Sequence, residues 1–97
     1  MTHIEEQVQA YYTIIIDNNF NGVVTALNRY GYPTSGFIQR AELQNKLYKL
    51  YQTAPTAFFK IMKSVPINEN ANNYTTSEAI KTALINTVEG IKNGYHI

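Results

Sequence analysis

YYTIIIDNNF, residues 11–20, decides the fold, because it admits two readings. Ile14, Ile15 and Ile16 are β-branched and by propensity alone favour a strand. Their surroundings favour a helix. Ile4, Val8, Tyr11, Tyr12 and Ile15 recur at i, i+4, i+7, i+8 and i+11, one face of a helix, and Thr2 followed by Glu5 makes a capping-box start. The isoleucine run therefore continues a first helix. Asp17, Asn18 and Asn19 end it, since short polar side chains compete with helical hydrogen bonds. The two Asn-Gly pairs, at residues 21–22 and 93–94, do not lie between alternating apolar segments as a hairpin requires.

Four more helices follow from the same periodicity. Phe20, Val23, Val24, Leu27 and Tyr30 form a second stripe, with Asn19 or Asn21 as its N-cap. A third helix is expected from about Phe37 to Thr53, with Leu43, Leu47, Leu50 and Ala54 as its stripe, Tyr51 alongside, and Glu42 and Lys46 in the favourable i, i+4 order. Pro55 starts a fourth, whose stripe of Phe58, Ile61, Met62 and Val65 ends before Pro66. Residues 68–74, NENANNY, are a polar connector. Thr75 and Glu78 make a second capping box for a fifth helix carrying Ile80, Ala83, Leu84, Val88 and Ile91, closed by Asn93 and Gly94. The expected fold is an all-α compact bundle of about five short helices in a single domain, residues 1–97.

Composition restricts the function. Apolar residues make up 44% of the 97, and only 15% are charged, well below the usual quarter. Eleven Asn and ten Thr supply the remaining polarity, giving a surface that stays wet without strong repulsion between copies. The absence of cysteine excludes disulfides, thiol nucleophiles and cysteine metal sites. The opening MTHIEEQVQ is unlike a secretory signal or transit peptide, and no apolar run approaches the roughly 20 residues of a membrane span. A cytoplasmic location in the producing cell is expected, with incorporation in a virion as an extension of it.

The net charge of +1 is unevenly spread. Residues 1–28 hold Glu5, Glu6 and Asp17 with no Lys or Arg, whereas residues 29–63 hold Arg29, Arg40, Lys46, Lys49, Lys60 and Lys63 against Glu42 alone. Such a basic centre suits an anionic partner, or the acidic ends of the same chain in an oligomer.

RYGYPTSGF, residues 29–37, joins the second and third stripes. Gly31 stands where a helix C-terminus calls for positive φ, Pro33 prevents continuation, and Thr34, Ser35 and Gly36 supply a turn and a candidate N-cap. Capping leaves Arg29, Tyr30, Tyr32 and Phe37 unexplained, a composition favoured at contact surfaces. Ile14, Ile16, Tyr48, Phe59 and Ile85 fall off the helical stripes and add apolar faces beyond what one core needs.

Catalytic and metal signals are sparse. His3 and His96 lie at opposite ends of the chain, no His, Asp or Glu cluster has ligand spacing, and no phosphate loop or nucleophile elbow occurs. Glu42, Glu69 and Asp17 are the carboxylates available for acid–base work, and solvated surface is their simpler role. No metal, cofactor, small-molecule substrate or membrane partner is expected, and no enzyme. The expectation is a protein-interaction or structural assembly module with Arg29, Tyr30, Tyr32, Phe37, Tyr48 and Phe59 as partner-binding residues. The Asn, Ile, Tyr and Lys bias has the style of an AT-rich genome and of small bacteriophage virion or assembly components. The alternative is a nucleic-acid-binding protein using Arg29, Arg40, Lys46, Lys49, Lys60 and Lys63, with tyrosines to stack on bases. The connector from Gly31 to Gly36 is longer than a helix-turn-helix permits, which counts against that alternative.

Overall fold

In the computed structural model, which describes residues 3–92 and the side chains of residues 5–86, the chain folds into four helices. They are α1 (His3–Arg29), α2 (Arg40–Thr53), α3 (Pro55–Ser64) and α4 (Tyr74–Lys92). The fold is an all-α bundle, with four helices where the sequence suggests five. The expected break at residues 17–19 is real but only one residue wide: Asn19, at φ −151° and ψ 69°, leaves helical geometry within α1. Its side-chain Oδ1 accepts the Gly22 N–H at 3.1 Å, capping the next turn at once, so no connector forms. Ala54, between α2 and α3, has nearly the same dihedrals, φ −146° and ψ 67°. There Pro55 at the first helical position removes a donor and completes the separation into two helices.

Burial follows the stripes. Val8, Tyr11, Tyr12, Ile15, Val23 and Leu27 of α1 are buried, as are Leu43, Leu47 and Leu50 of α2 and Phe58, Ile61, Met62 and Val65 in and after α3. α1 is the central element, because it packs against each of the other three helices. That position accounts for much of the apolar surplus: Ile16 is buried, and Ile14, Tyr48 and Phe59 pack half-buried against the core. The Cα radius of gyration of 13.0 Å matches a compact chain of this length.

Side chains of α1 fix the segment that follows α3. Asn18, 5% exposed, accepts the Asn68 N–H at 2.6 Å and donates to the Asn68 carbonyl at 3.3 Å and to Asn73 Oδ1 at 3.0 Å. Asn19 Nδ2 donates to the Pro66 carbonyl at 2.9 Å, and the Tyr11 hydroxyl donates to the Met62 carbonyl at 2.9 Å. From α4, Lys81 Nζ reaches the Val65 carbonyl at 3.3 Å.

Two expected starts are displaced. Phe37 precedes α2, which begins at Arg40 after an N-cap Gln39 that makes no side-chain cap bond. Thr75 lies inside α4 rather than before it; the preceding Asn73 gives its carbonyl to the Ser77 N–H at 2.9 Å, while its side chain is held by Asn18. Thr2, Asn93, Gly94 and His96 lie outside the described residues, as do the side chains of His3, Ile4, Val88 and Ile91.

A Cβ at Gly22 would stand 2.7 Å from Asn19 Cγ, so Gly22→Ala has to evict the cap. It is expected to lower stability by about 1 kcal/mol in the native chain and to raise it by about 0.5–1 kcal/mol in an Asn19→Ala background, where only the helix-propensity gain remains. Urea unfolding of the four proteins as a double-mutant cycle reads this sign reversal. The Ser77 hydroxyl is fully buried and finds no hydrogen-bond partner among the described residues. Ser77→Ala is therefore expected to raise stability by about 1 kcal/mol in the same assay.

Candidate interaction site

The second half of α1 ends in a Schellman motif that also starts the exposed turn. Gly31 adopts φ +87°, its N–H reaches the Asn28 carbonyl at 3.3 Å, and the Tyr32 N–H returns to the Leu27 carbonyl at 2.9 Å. Tyr32 occupies the position whose side chain folds back on the helix in this motif, and it packs half-buried against the core. Capping thus explains Tyr32 after all. Beyond Pro33, the Thr34 N–H is held by Asn28 Oδ1 at 2.9 Å. Ser35 Oγ accepts the Phe37 N–H at 3.1 Å, and the Ser35 carbonyl accepts the Ile38 N–H at 3.2 Å. Ser35 therefore closes a turn instead of capping α2. Ile38 packs against the core, whereas Phe37 beside it is 92% exposed.

Arg40 ties the end of this turn to α1. Its Nε and Nη2 meet Asp17 Oδ1 and Oδ2 at 2.8 and 3.0 Å, a two-pronged guanidinium–carboxylate contact. Both side chains are about half exposed, so the pair contributes orientation more than stability, at most about 1 kcal/mol.

The remaining candidates separate into three places. Arg29 is exposed at the end of α1, and Tyr30, 37% exposed, lies under Lys60 Nζ at 5.9 Å from the ring centroid. Tyr48 and Phe59 belong to a flank of packed aromatics. Phe59 meets Tyr51 and Phe58 edge-on, with centroids 5.9 and 5.2 Å apart, and Phe58 in turn meets Tyr51 and Tyr12. Tyr48 is close enough to Tyr12 and Tyr51 to influence their ionisation. Of the basic residues, Arg40 is engaged by Asp17, Lys46 is half-buried, and Lys49, Lys60 and Lys63 are exposed. Lys46 and Tyr48 are two residues apart on α2 and so about 160° apart around it, which separates that aromatic from that cation. Glu42 and Glu69 are exposed on α2 and on the connector before α4. Among the described residues no group of three His, Cys, Asp or Glu is placed to hold a metal ion, and no helix is long and apolar enough to cross a membrane.

Sequence periodicity gives no sign of a shallow groove of about 470 Å³ between α1 and α4. Ala10, Ile14 and Ile80 contribute its apolar surface, Gln9 and Thr13 line it, and Glu6 and Asp17 make it acidic. It arises because the α1 face through Glu6, Ala10, half-buried Thr13 and Asp17 runs beside α4, a juxtaposition created by tertiary packing alone.

Comparison with protein-family models, curated proteins and solved structures finds no match to this chain.

Burial raises the Tyr11 hydroxyl well above the usual tyrosine range; burial, then Tyr48, raises Tyr12, and burial, then Glu5 and Tyr48, raises Tyr51. Unfolding releases these groups to ionise near pH ~10. Their contribution is therefore complete below that pH and declines as pH rises through the folded-state values, by up to about 1.4 kcal/mol per pH unit for the Tyr11 proton. Tyr11→Phe is expected to cost about 1 kcal/mol at neutral pH, from the lost bond to the Met62 carbonyl, and to flatten the alkaline decline. Urea midpoints measured from neutral to alkaline pH check both effects.

Proposed function

We propose that this chain is a non-enzymatic binding module, a subunit or adaptor of a larger protein assembly, with the turn at residues 30–39 as its contact element. Phe37 is the observation that carries the reading. Its ring is 92% exposed while its own N–H and its neighbour Ile38 are fixed by Ser35 and the core, so an aromatic side chain is held outward on an ordered turn. Covering that ring would return about 1.5–3 kcal/mol, and a pre-ordered backbone lowers the entropic cost of doing so. Arg29, the last residue of α1, and Tyr30, the first of the turn, add residue types enriched at binding hot spots. Tyr48 and Phe59 have a smaller part in this reading than the turn does, because they pack against the core. A virion subunit is a finer form of the same proposal, supported by compositional style alone.

The nucleic-acid reading has less support. Its cations are spread over three helices, Arg40 is engaged by Asp17, and Lys60 sits over Tyr30. Light scattering during size exclusion, across a salt series with and without a generic DNA duplex, tests the choice. An assembled species indifferent to the duplex is expected, with Phe37→Ala reducing assembly while leaving the helical signal and melting temperature unchanged. A monomer that moves onto the duplex at low salt and leaves it at high salt overturns the proposal.

A further inference from the structure

Phe37 is tethered through Arg40 to the rim of the α1–α4 groove. Phe37 is three residues from Arg40, at most about 11 Å of chain, and Arg40 grips Asp17, which lines the groove. Yet Phe37 does not enter the groove of its own chain, since its ring remains 92% exposed. The two features complement each other. Arg40 and Asp17 already pair within the chain, so the charges left to meet across two copies are Arg29, before a turn that contains no acidic residue, and Glu6, in a groove with Ala10, Ile14 and Ile80, on a helix with no Lys or Arg before residue 29.

We propose that the groove receives Phe37 of a second copy of this chain, in a reciprocal two-fold dimer. This deepens the binding reading above and rests on it. Because projection and recess are separate patches of the same chain, a two-fold arrangement satisfies both at once and closes the assembly at two subunits. Each Phe37 ring lies on the apolar floor formed by Ala10, Ile14 and Ile80, with Arg29 of each copy and Glu6 of the other as the charges that attract across the interface. The charge arrangement sets orientation and encounter rate, and the two rings supply most of the affinity.

The test is the solution mass of the full chain over a concentration series, by light scattering. The wild type is expected to reach twice the chain mass. Phe37→Asp removes both anchors and weakens the dimer by on the order of a hundredfold or more. Ala10→Trp fills the groove from an exposed position and has the same effect, and Glu6→Arg, which leaves the groove open but reverses its charge, weakens the dimer and makes it less salt-sensitive. Mixing Phe37→Asp with Ala10→Trp restores association above that of either alone, because one intact ring then meets one intact groove. Circular dichroism confirms that each variant is helical. A dimer lost in Phe37→Asp but unchanged in Ala10→Trp and Glu6→Arg overturns the groove pairing and leaves the turn as the contact element. A wild-type monomer also overturns the pairing, and a dimer indifferent to Phe37→Asp overturns the turn and the groove together.

Discussion

The structure depends on how the backbone between α3 and α4 is satisfied. A helix ends with carbonyls that have no partner within it, and an irregular connector adds more. Here the carbonyls of Met62, Val65, Pro66 and Asn68 all receive hydrogen bonds from side chains of other helices: Tyr11, Lys81, Asn19 and Asn18 in that order. Three of those four donors lie on α1. The kink at Asn19 matters because, with its own helix interrupted, Asn19 can cap the next turn and reach Pro66 with one amide group. Asp17, Asn18 and Asn19 are consecutive, yet Asp17 engages α2 while Asn19 and Asn18 hold two points of the connector between α3 and α4, at Pro66 and at Asn68 and Asn73.

That arrangement sets what remains available for contact. Most large apolar side chains are taken into the core or the aromatic flank by a central helix surrounded on three sides. Among the described residues, what stays outside is local: the ring of Phe37, the partly covered Tyr30, and the shallow recess beside α4. The Schellman motif at Gly31 and the Ser35 turn hold the backbone around Phe37, and Arg40 fixes the far end against α1. The exposed aromatic is therefore carried by an ordered segment.

Local features were legible in the sequence. The stripes of Leu43, Leu47 and Leu50 and of Phe58, Ile61, Met62 and Val65 are the buried faces, Pro55 opens α3, Gly31 has positive φ, and Asn19 caps the second half of α1. Each of these is decided within a turn or two of chain. The count of five helices differed from the four observed because a one-residue break and a connector look alike when only breaker residues are read. Asn18 was read as a helix breaker, and its tie to Asn68 and Asn73, some 50 residues away, has no local signature. The starts of α2 and α4 were misplaced for related reasons: Ser35 closes a turn that leaves Phe37 outside the helix, and the residue before α4 is held by Asn18 instead of a capping box. For the site, the sequence singled out Phe37, which is exposed, together with Tyr32, Tyr48 and Phe59, which are half-buried. Periodicity separates a helix's inner face from its outer one, but cannot say whether a flank meets another helix or water. The groove, made by two distant helices, was beyond it for the same reason.

The three donors that α1 directs at the α3–α4 segment are a hydroxyl and two amides, none charged near neutral pH. Salt does not screen such bonds as it screens ion pairs, and acid does not neutralise them as it does carboxylates. Apart from Lys81, the charged groups described above, Asp17, Arg40 and Glu6, lie at the surface beside the turn and groove. Three of the four ties to the α3–α4 segment are thus independent of the charges beside the turn and groove, so ionic strength can alter how the molecule meets its neighbours while those ties persist.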